Sequence, residues 1–239
     1  MEEEKLGIKL NPKKVLEGNG KKAPAYFSGL MALIMVACYA LALKSIEPAT
    51  NIVLTGGVII YSFTFLAISI ICKYYGFKEA RKAIFISALL YVSFFVIMSI
   101  GLLPKANSFT TVYNSFVQYI FCSEFIDISS DITLFYPELG QFFSILIAFV
   151  VGHLVYATVY NAISRYTVDY LSMGLSLFIA YIVDRLIFVP ILFAKSLQNG
   201  SNTFDFVIKL LTSEFIAAIL LSIIIVICYI VITSIKKED

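Results

Sequence analysis

Tryptophan is absent from this 239-residue chain, histidine occurs once, cysteine four times, and only 14% of the residues are charged. Each shortage excludes something. A soluble domain of this length carries about a quarter charged residues, so a water-exposed globule is excluded. No Cys-x-x-Cys pair and no Cys/His metal spacing occurs, which removes zinc modules and thioredoxin-like redox motifs. Cys38, Cys72 and Cys228 fall in or at the ends of apolar runs, where cysteine behaves as a small hydrophobe. Cys122 has no obvious partner, so no disulfide framework is expected. Glycine-rich phosphate loops, HExxH and GxSxG are all missing, so no catalytic residue, metal site or cofactor is expected, and the chain does not read as an enzyme. Neither is a nucleic-acid partner.

Apolar length is what the chain has instead. It is 60% hydrophobic, with a mean hydropathy of +0.90. Runs of the length a bilayer-spanning helix requires lie at about 26–43, 52–73, 83–103, 140–163, 171–194 and 207–234. Helix is the expected state, because a span must satisfy its own backbone in lipid. The expected fold class is therefore all-α, a polytopic integral membrane protein with six transmembrane helices.

The loops orient it. Lys13, Lys14, Lys21 and Lys22 precede the first span; Lys73, Lys78, Arg81 and Lys82 join the second and third; Arg165 joins the fourth and fifth; Lys236 and Lys237 follow the last. The alternate loops hold Glu47, Glu124, Asp127, Asp131, Glu138 and Asp205. The positive-inside rule then puts both termini in the cytosol. This divides the chain into a cytosolic arm over 1–24, a transmembrane domain over 25–235 and a cytosolic tail over 236–239. Arg81 is read as a topology anchor. The outer loop at 104–139 is long for a compact bundle. Phe109, Val112, Phe116 and Tyr119 recur there at helical spacing, which predicts a short amphipathic helix, either a lid or a rest on the headgroups.

Intramembrane polar residues are informative because they cost energy to place, about 2.5–3.5 kcal/mol for a mid-span Asp or Arg. Asp184 and Arg185 lie in the fifth span and His153 in the fourth. Adjacent helical residues point about 100° apart. Arg185 either pairs with a neighbouring helix while Asp184 faces a cavity, or the two neutralise each other and fix packing. His153, Tyr156 and Tyr160 share one helical face, as do Tyr181, Asp184 and Phe188. On the second span Tyr61, Thr64, Phe65 and Ser69 form a mixed aromatic and hydroxyl patch. Three such faces describe a pocket for a flat, polar, ring-shaped ligand, or else ordinary aromatic packing. Pro190 is expected to kink the fifth span beyond Asp184.

The stretch "YSFTFLAISIICKYYGFKEARKAIF", residues 61–85, resembles the second-span signature of the vitamin-uptake-transporter family, also called the queuosine-precursor transporters. Tyr61, Phe63, Thr64, Phe65, Leu66, Tyr75, Gly76, Ala80 and Arg81 carry the match. The fourth span keeps the family's Gly152; the fifth keeps Ser176, Asp184, Phe188, Phe193 and Ala194. Where the family has other polar residues this chain has Ser69, Lys73, His153, Tyr156 and Tyr181, and a Lys common early in the last span falls near Glu214. The resemblance implies import of a queuosine precursor, queuine or a related 7-deazaguanine, or a similar heterocyclic micronutrient, with Asp184 reading its N–H groups. It also implies a bacterial inner-membrane location and a six-helix fold like the substrate-binding components of energy-coupling-factor transporters. Such components bind an ATPase module through small residues of the first span, here Ser28, Ala32, Ala37, Ala40 and Ala42. The alternatives are accordingly a binding subunit that needs that module, a homo-oligomer, and a non-transporting membrane scaffold. A topology reporter fused to either terminus is expected to read cytosolic, and one inserted near Cys122 to read the opposite face. Termini on opposite sides would overturn the span count.

Overall fold

The computed structural model describes residues 23–42, 45–49, 52–101, 126–127, 133–134, 139–194 and 201–235. Its helices are α1 (Ala23–Leu41), α2 (Val58–Tyr75), α3 (Phe77–Gly101), α4 (Leu139–Ile163), α5 (Asp169–Leu192) and α6 (Ser201–Ile235). All six are long and apolar enough to cross a membrane, so the polytopic all-α reading stands. Strand β1 (Ser45–Ala49) pairs antiparallel with β2 (Ile52–Thr55), and β3 (Ile126–Asp127) pairs with β4 (Thr133–Leu134). Residues 1–22 of the arm expected over 1–24, the tail over 236–239, Cys122 and the helix expected around Phe109–Tyr119 lie outside the described residues, and Ala23 and Pro24 open α1.

Several boundaries differ from expectation, each for a local reason. Residues 52–57, expected to open the second span, instead form β2 and a turn. Ile52, Val53 and Thr55 are β-branched and favour a strand, and Gly56-Gly57 interrupts any helix across them. A Cβ at Gly57 would sit 3.2 Å from the Cys38 backbone, a tight contact, so the end of α1 and the start of α2 approach closely. The third helix begins at Phe77, which moves Lys78, Arg81 and Lys82 from a loop onto its first turns. Gly76 alone separates α2 from α3. Its φ of 84° and ψ of 172° end α2, while its N–H bonds Ile71 O at 3.1 Å. Pro190 falls in the last turn of α5, where its missing donor removes one bond of the helix ladder close to the C-terminus.

Connectivity gives the bundle two unlike ends. The β1–β2 hairpin, the start of α4 and the start of α6 share the hairpin end. The α2–α3 and α4–α5 joints share the other, the basic end, which carries Lys73, Lys78, Arg81, Lys82 and Arg165. Helices α4 and α5 form an antiparallel pair with α6 against α5, while α1 packs on α2 and α3. An aromatic seam ties α1, α3 and α4 near the hairpin end: Tyr39 meets Phe95 edge-on at 4.5 Å, and Tyr91 stacks on Phe142 at 5.3 Å. Of the small α1 residues, Ser28, Ala32 and Ala42 are buried inside this bundle. Ser87 of α3 donates to Ser28 O at 3.0 Å. Only Ala37 and Ala40 stay partly exposed.

The φ/ψ of Gly76 lies where other residues are strained by about 1–3 kcal/mol. Gly76→Ala is expected to lower unfolding stability in nanodiscs by that amount. Gly29→Ala, which meets nothing within 4 Å, should be near neutral; equal effects would show that backbone strain is not the cause.

Candidate functional site

Three charged side chains meet inside the bundle toward the hairpin end: Asp184 and Arg185 of α5 and Glu214 of α6, exposed by 0, 2 and 0%. Arg185 Nε and Nη2 donate to Asp184 Oδ2 at 2.8 and 2.5 Å, and Nη1 donates to Glu214 Oε2 at 3.0 Å. The other carboxylate oxygens are also filled. Tyr61 OH donates to Asp184 Oδ1 at 2.6 Å. Thr55 donates to Glu214 Oε1 twice, from its backbone N at 3.0 Å and from Oγ1 at 2.6 Å. The guanidinium lies over three rings, with centroids at 4.6 Å for Phe188, 5.1 Å for Tyr61 and 5.9 Å for Tyr181. Arg185 thus does both things the sequence left open: it neutralises its neighbour and it pairs with another helix. Two carboxyl groups thus share one guanidinium. Among the described residues, Asp184 is packed against its neighbours. Gly152 of α4 presses on it so closely that a Cβ there would lie 2.9 Å from Asp184 Cβ.

Next to the triad sits the imidazole of His153, fully buried. It stacks on Phe65 at 4.2 Å with an 8° interplanar angle and meets Phe149 at 4.2 Å and Tyr61 edge-on at 5.9 Å. Nδ1 is 2.9 Å from Phe149 O, and Nε2 is 2.9 Å from Thr64 Oγ1. A carbonyl only accepts, so the partners assign the hydrogen to Nδ1 and leave Nε2 to face the Thr64 hydroxyl. That hydroxyl also lies 2.6 Å from Tyr61 O. Tyr181 completes the group: its ring is 5.0 Å from Phe65 and its OH bonds Ser62 Oγ.

The sequence-predicted residues therefore divide. Tyr61, Thr64, Phe65, His153, Tyr181, Asp184 and Phe188 come together around the triad. Ser69, Tyr156 and Tyr160 lie closer to the basic end. Tyr156 stacks on Tyr160 at 5.9 Å, and Ser69 Oγ bonds Phe65 O within its own helix. Tyr160 belongs to a separate cluster on Asp169, the first residue of α5. Its OH donates to Asp169 Oδ1, Tyr229 OH donates to Oδ2 at 2.6 Å, and Lys73 Nζ lies 2.7 Å from Oδ2. Arg81 is exposed on α3, against the Phe77 ring at 5.5 Å, away from both clusters.

Around the triad the rings of Tyr61, Phe65, His153 and Tyr181 pack on one another. Beside Arg185 remains a cavity of about 10 Å³, lined by Cys38, Thr55, Tyr61 and Phe188 among others, roughly the room one water needs. Among the described residues no cluster of three or more His, Cys, Asp or Glu is placed to hold a metal ion. Glu214 is met in the sequence only as the position near which the family's Lys falls, not as a buried charge. It lies well inside the last apolar run, so the cost argument that singled out Asp184 applies to it equally. Asp169 and Tyr229 gave no such signal, since they sit at helix ends where polar residues are common.

A family model described as "Putative vitamin uptake transporter" matches residues 55–232. The chain matches no curated protein and no solved structure.

Removing one partner of a buried ion pair costs about 3–5 kcal/mol. Glu214→Ala is expected to reach the lower end of that range by chemical unfolding in nanodiscs, since it strips Arg185 of one carboxylate and Thr55 of its acceptor. Gly152→Val should separate α4 from α5 and cost about 1–3 kcal/mol. Changes below about 0.5 kcal/mol, the level of an ordinary surface site, would show that neither contact holds the bundle.

Proposed function

Because the chain belongs to the vitamin uptake transporter family, we propose that this multi-pass membrane protein imports a small heterocyclic micronutrient, a queuosine precursor such as queuine or a related 7-deazaguanine. The bacterial cytoplasmic membrane is the proposed location, with the basic end and both termini in the cytosol. The observation that carries the reading is the environment of Asp184. Its Oδ2 is held by Arg185, but its Oδ1 accepts from a neutral phenol, Tyr61, at 2.6 Å. A charged donor is hard to displace; a phenol is exchanged for another neutral donor at little cost. A guanine-like ring offers such donors in its lactam N–H and exocyclic amine, either of which Asp184 Oδ1 can accept in place of the phenol.

The surrounding rings supply the rest of the recognition. Phe65, His153, Tyr181 and Phe188 present flat faces around Asp184, and offset stacking on such faces suits a bicyclic base. Thr64 and His153 add one exchangeable hydrogen-bonding pair. To admit a ligand, the Phe65–His153 stack must part, because the water-sized cavity beside Arg185 holds no heterocycle. Tyr61 turns away as Asp184 Oδ1 takes its new partner.

Calorimetry on the protein in nanodiscs with queuine and its 7-deazaguanine precursors tests this. Saturable binding to the wild type is expected, weakened about tenfold or more in Asp184→Asn, as the loss of a hydrogen bond to a charged group implies. His153→Gln should weaken it less. Binding unchanged by Asp184→Asn in a folded variant would remove Asp184 from the ligand. No binding to any 7-deazaguanine would retire the substrate while leaving the fold intact.

A further inference from the structure

Among the described residues, one carboxylate at each end of the bundle gathers bonds from several elements, and the two sets of partners share no residue. At the hairpin end Glu214 of α6 accepts Thr55 N and Oγ1 at 3.0 and 2.6 Å. The adjacent Ser213 hydroxyl accepts Val53 N at 3.2 Å. These bonds fasten β2 across the cavity that Cys38, Tyr61 and Arg185 line. At the basic end Asp169 of α5 joins three other helices. It accepts Tyr160 OH from α4 and Tyr229 OH from α6, and pairs with Lys73 of α2. Lys73 also lies over the Tyr229 ring at 4.8 Å. Behind this knot Tyr156 stacks on Tyr160 and meets Phe65, the ring that stacks on His153.

The spacing makes the two ties separable. Asp169 and Arg185 are 16 residues apart on α5, about 24 Å along the helix. Glu214 and Tyr229 are 15 residues apart on α6, about 22 Å. Contacts this distant and without shared partners act additively. Their settings also differ. Glu214 is fully enclosed, whereas the Asp169 and Lys73 side chains are 36% and 23% exposed, and water competes for an exposed pair.

We infer that Glu214 and Asp169 are the latches of two independently opening gates, on opposite sides of the Asp184 site, and that the structure is the state with both gates closed. The inference rests on the importer reading for its purpose, but its test needs no substrate. Glu214 couples its gate to the site directly, since the carboxylate that holds β2 through Oε1 holds Arg185 through Oε2. A ligand that draws Arg185 and Asp184 toward itself loosens the grip on β2. Asp169 has no bond to the triad, so the basic-end gate answers only through movement of α5 and α6.

Two native thiols report on the gates. Cys38, 4% exposed, lines the cavity under β2; Cys72, 7% exposed, precedes Lys73 in α2. The full chain in nanodiscs, where both faces are reachable, would be treated with N-ethylmaleimide and modification of each cysteine followed by peptide mass spectrometry, with Cys122 and Cys228 read separately. Glu214→Gln is expected to speed Cys38 modification by about tenfold, the ratio a lost charge-assisted hydrogen bond implies, and to leave Cys72 unchanged. Asp169→Asn should do the converse. Thr55→Val and Tyr229→Phe, which remove one donor from each latch, should give the same pattern more weakly and decide the matter if a carboxamide variant fails to fold. Acceleration of both cysteines together in any variant, or of neither in folded carboxamide variants, would overturn the two-gate assignment. Failure of the importer reading would look different: no 7-deazaguanine would bind, while the cysteine pattern could stand.

Discussion

A guanidinium buried in a bilayer has no water to fall back on, and Arg185 is answered by two carboxylates from two helices. Much of the bundle's arrangement follows from that requirement. Asp184 comes from the preceding residue, so α5 carries half the solution itself. Glu214 must be brought in by α6, which fixes the register of α6 against α5. The spare oxygens then recruit Tyr61 from α2 and Thr55 from β2, and Gly152 lets α4 approach to contact. Four helices and a strand converge on three charges because an unpaired charge at this depth would cost several kcal/mol. That is a large share of the roughly 5–15 kcal/mol by which folded proteins are stable.

The same arrangement sets which parts of the interior can give way. The rings packed around the triad hold by stacking contacts of about 0.5–1.5 kcal/mol each, whereas truncating one partner of a buried ion pair costs about 3–5 kcal/mol. The charges are therefore the firm part of this region and the aromatic walls the yielding part.

How much of this was legible beforehand depended on the range of the interaction. The six helices were readable because apolar length is a local property, and Asp184, Arg185 and His153 stood out because a polar residue in such a run is locally anomalous. Glu214 carried the same mark, yet reads as ordinary when the surrounding loop acids are assigned to topology. The hairpin was hidden by the apolar character of "IVLT", which serves a strand as well as a span; Gly56-Gly57 was the deciding punctuation. The separation of Tyr160 from the triad could not be read from helical spacing. A shared face says nothing about how far along the helix each residue lies from its partner. Lys73 was read as an anchor by its sign, and it also pairs with Asp169, a contact only three-dimensional packing reveals.

The bond between Thr55 and Glu214 spans 159 residues of sequence. During synthesis at about 5–20 residues per second, β2 leaves the ribosome roughly ten to thirty seconds before its acceptor does. The Asp184–Arg185 pair joins neighbours in one helix and is available as soon as α5 is made. Glu214 has no partner of its own on α6 among the described residues, and its bonds all reach back to parts of the chain made earlier. The strand near the beginning of the chain therefore waits for the last helix before these bonds can fasten it.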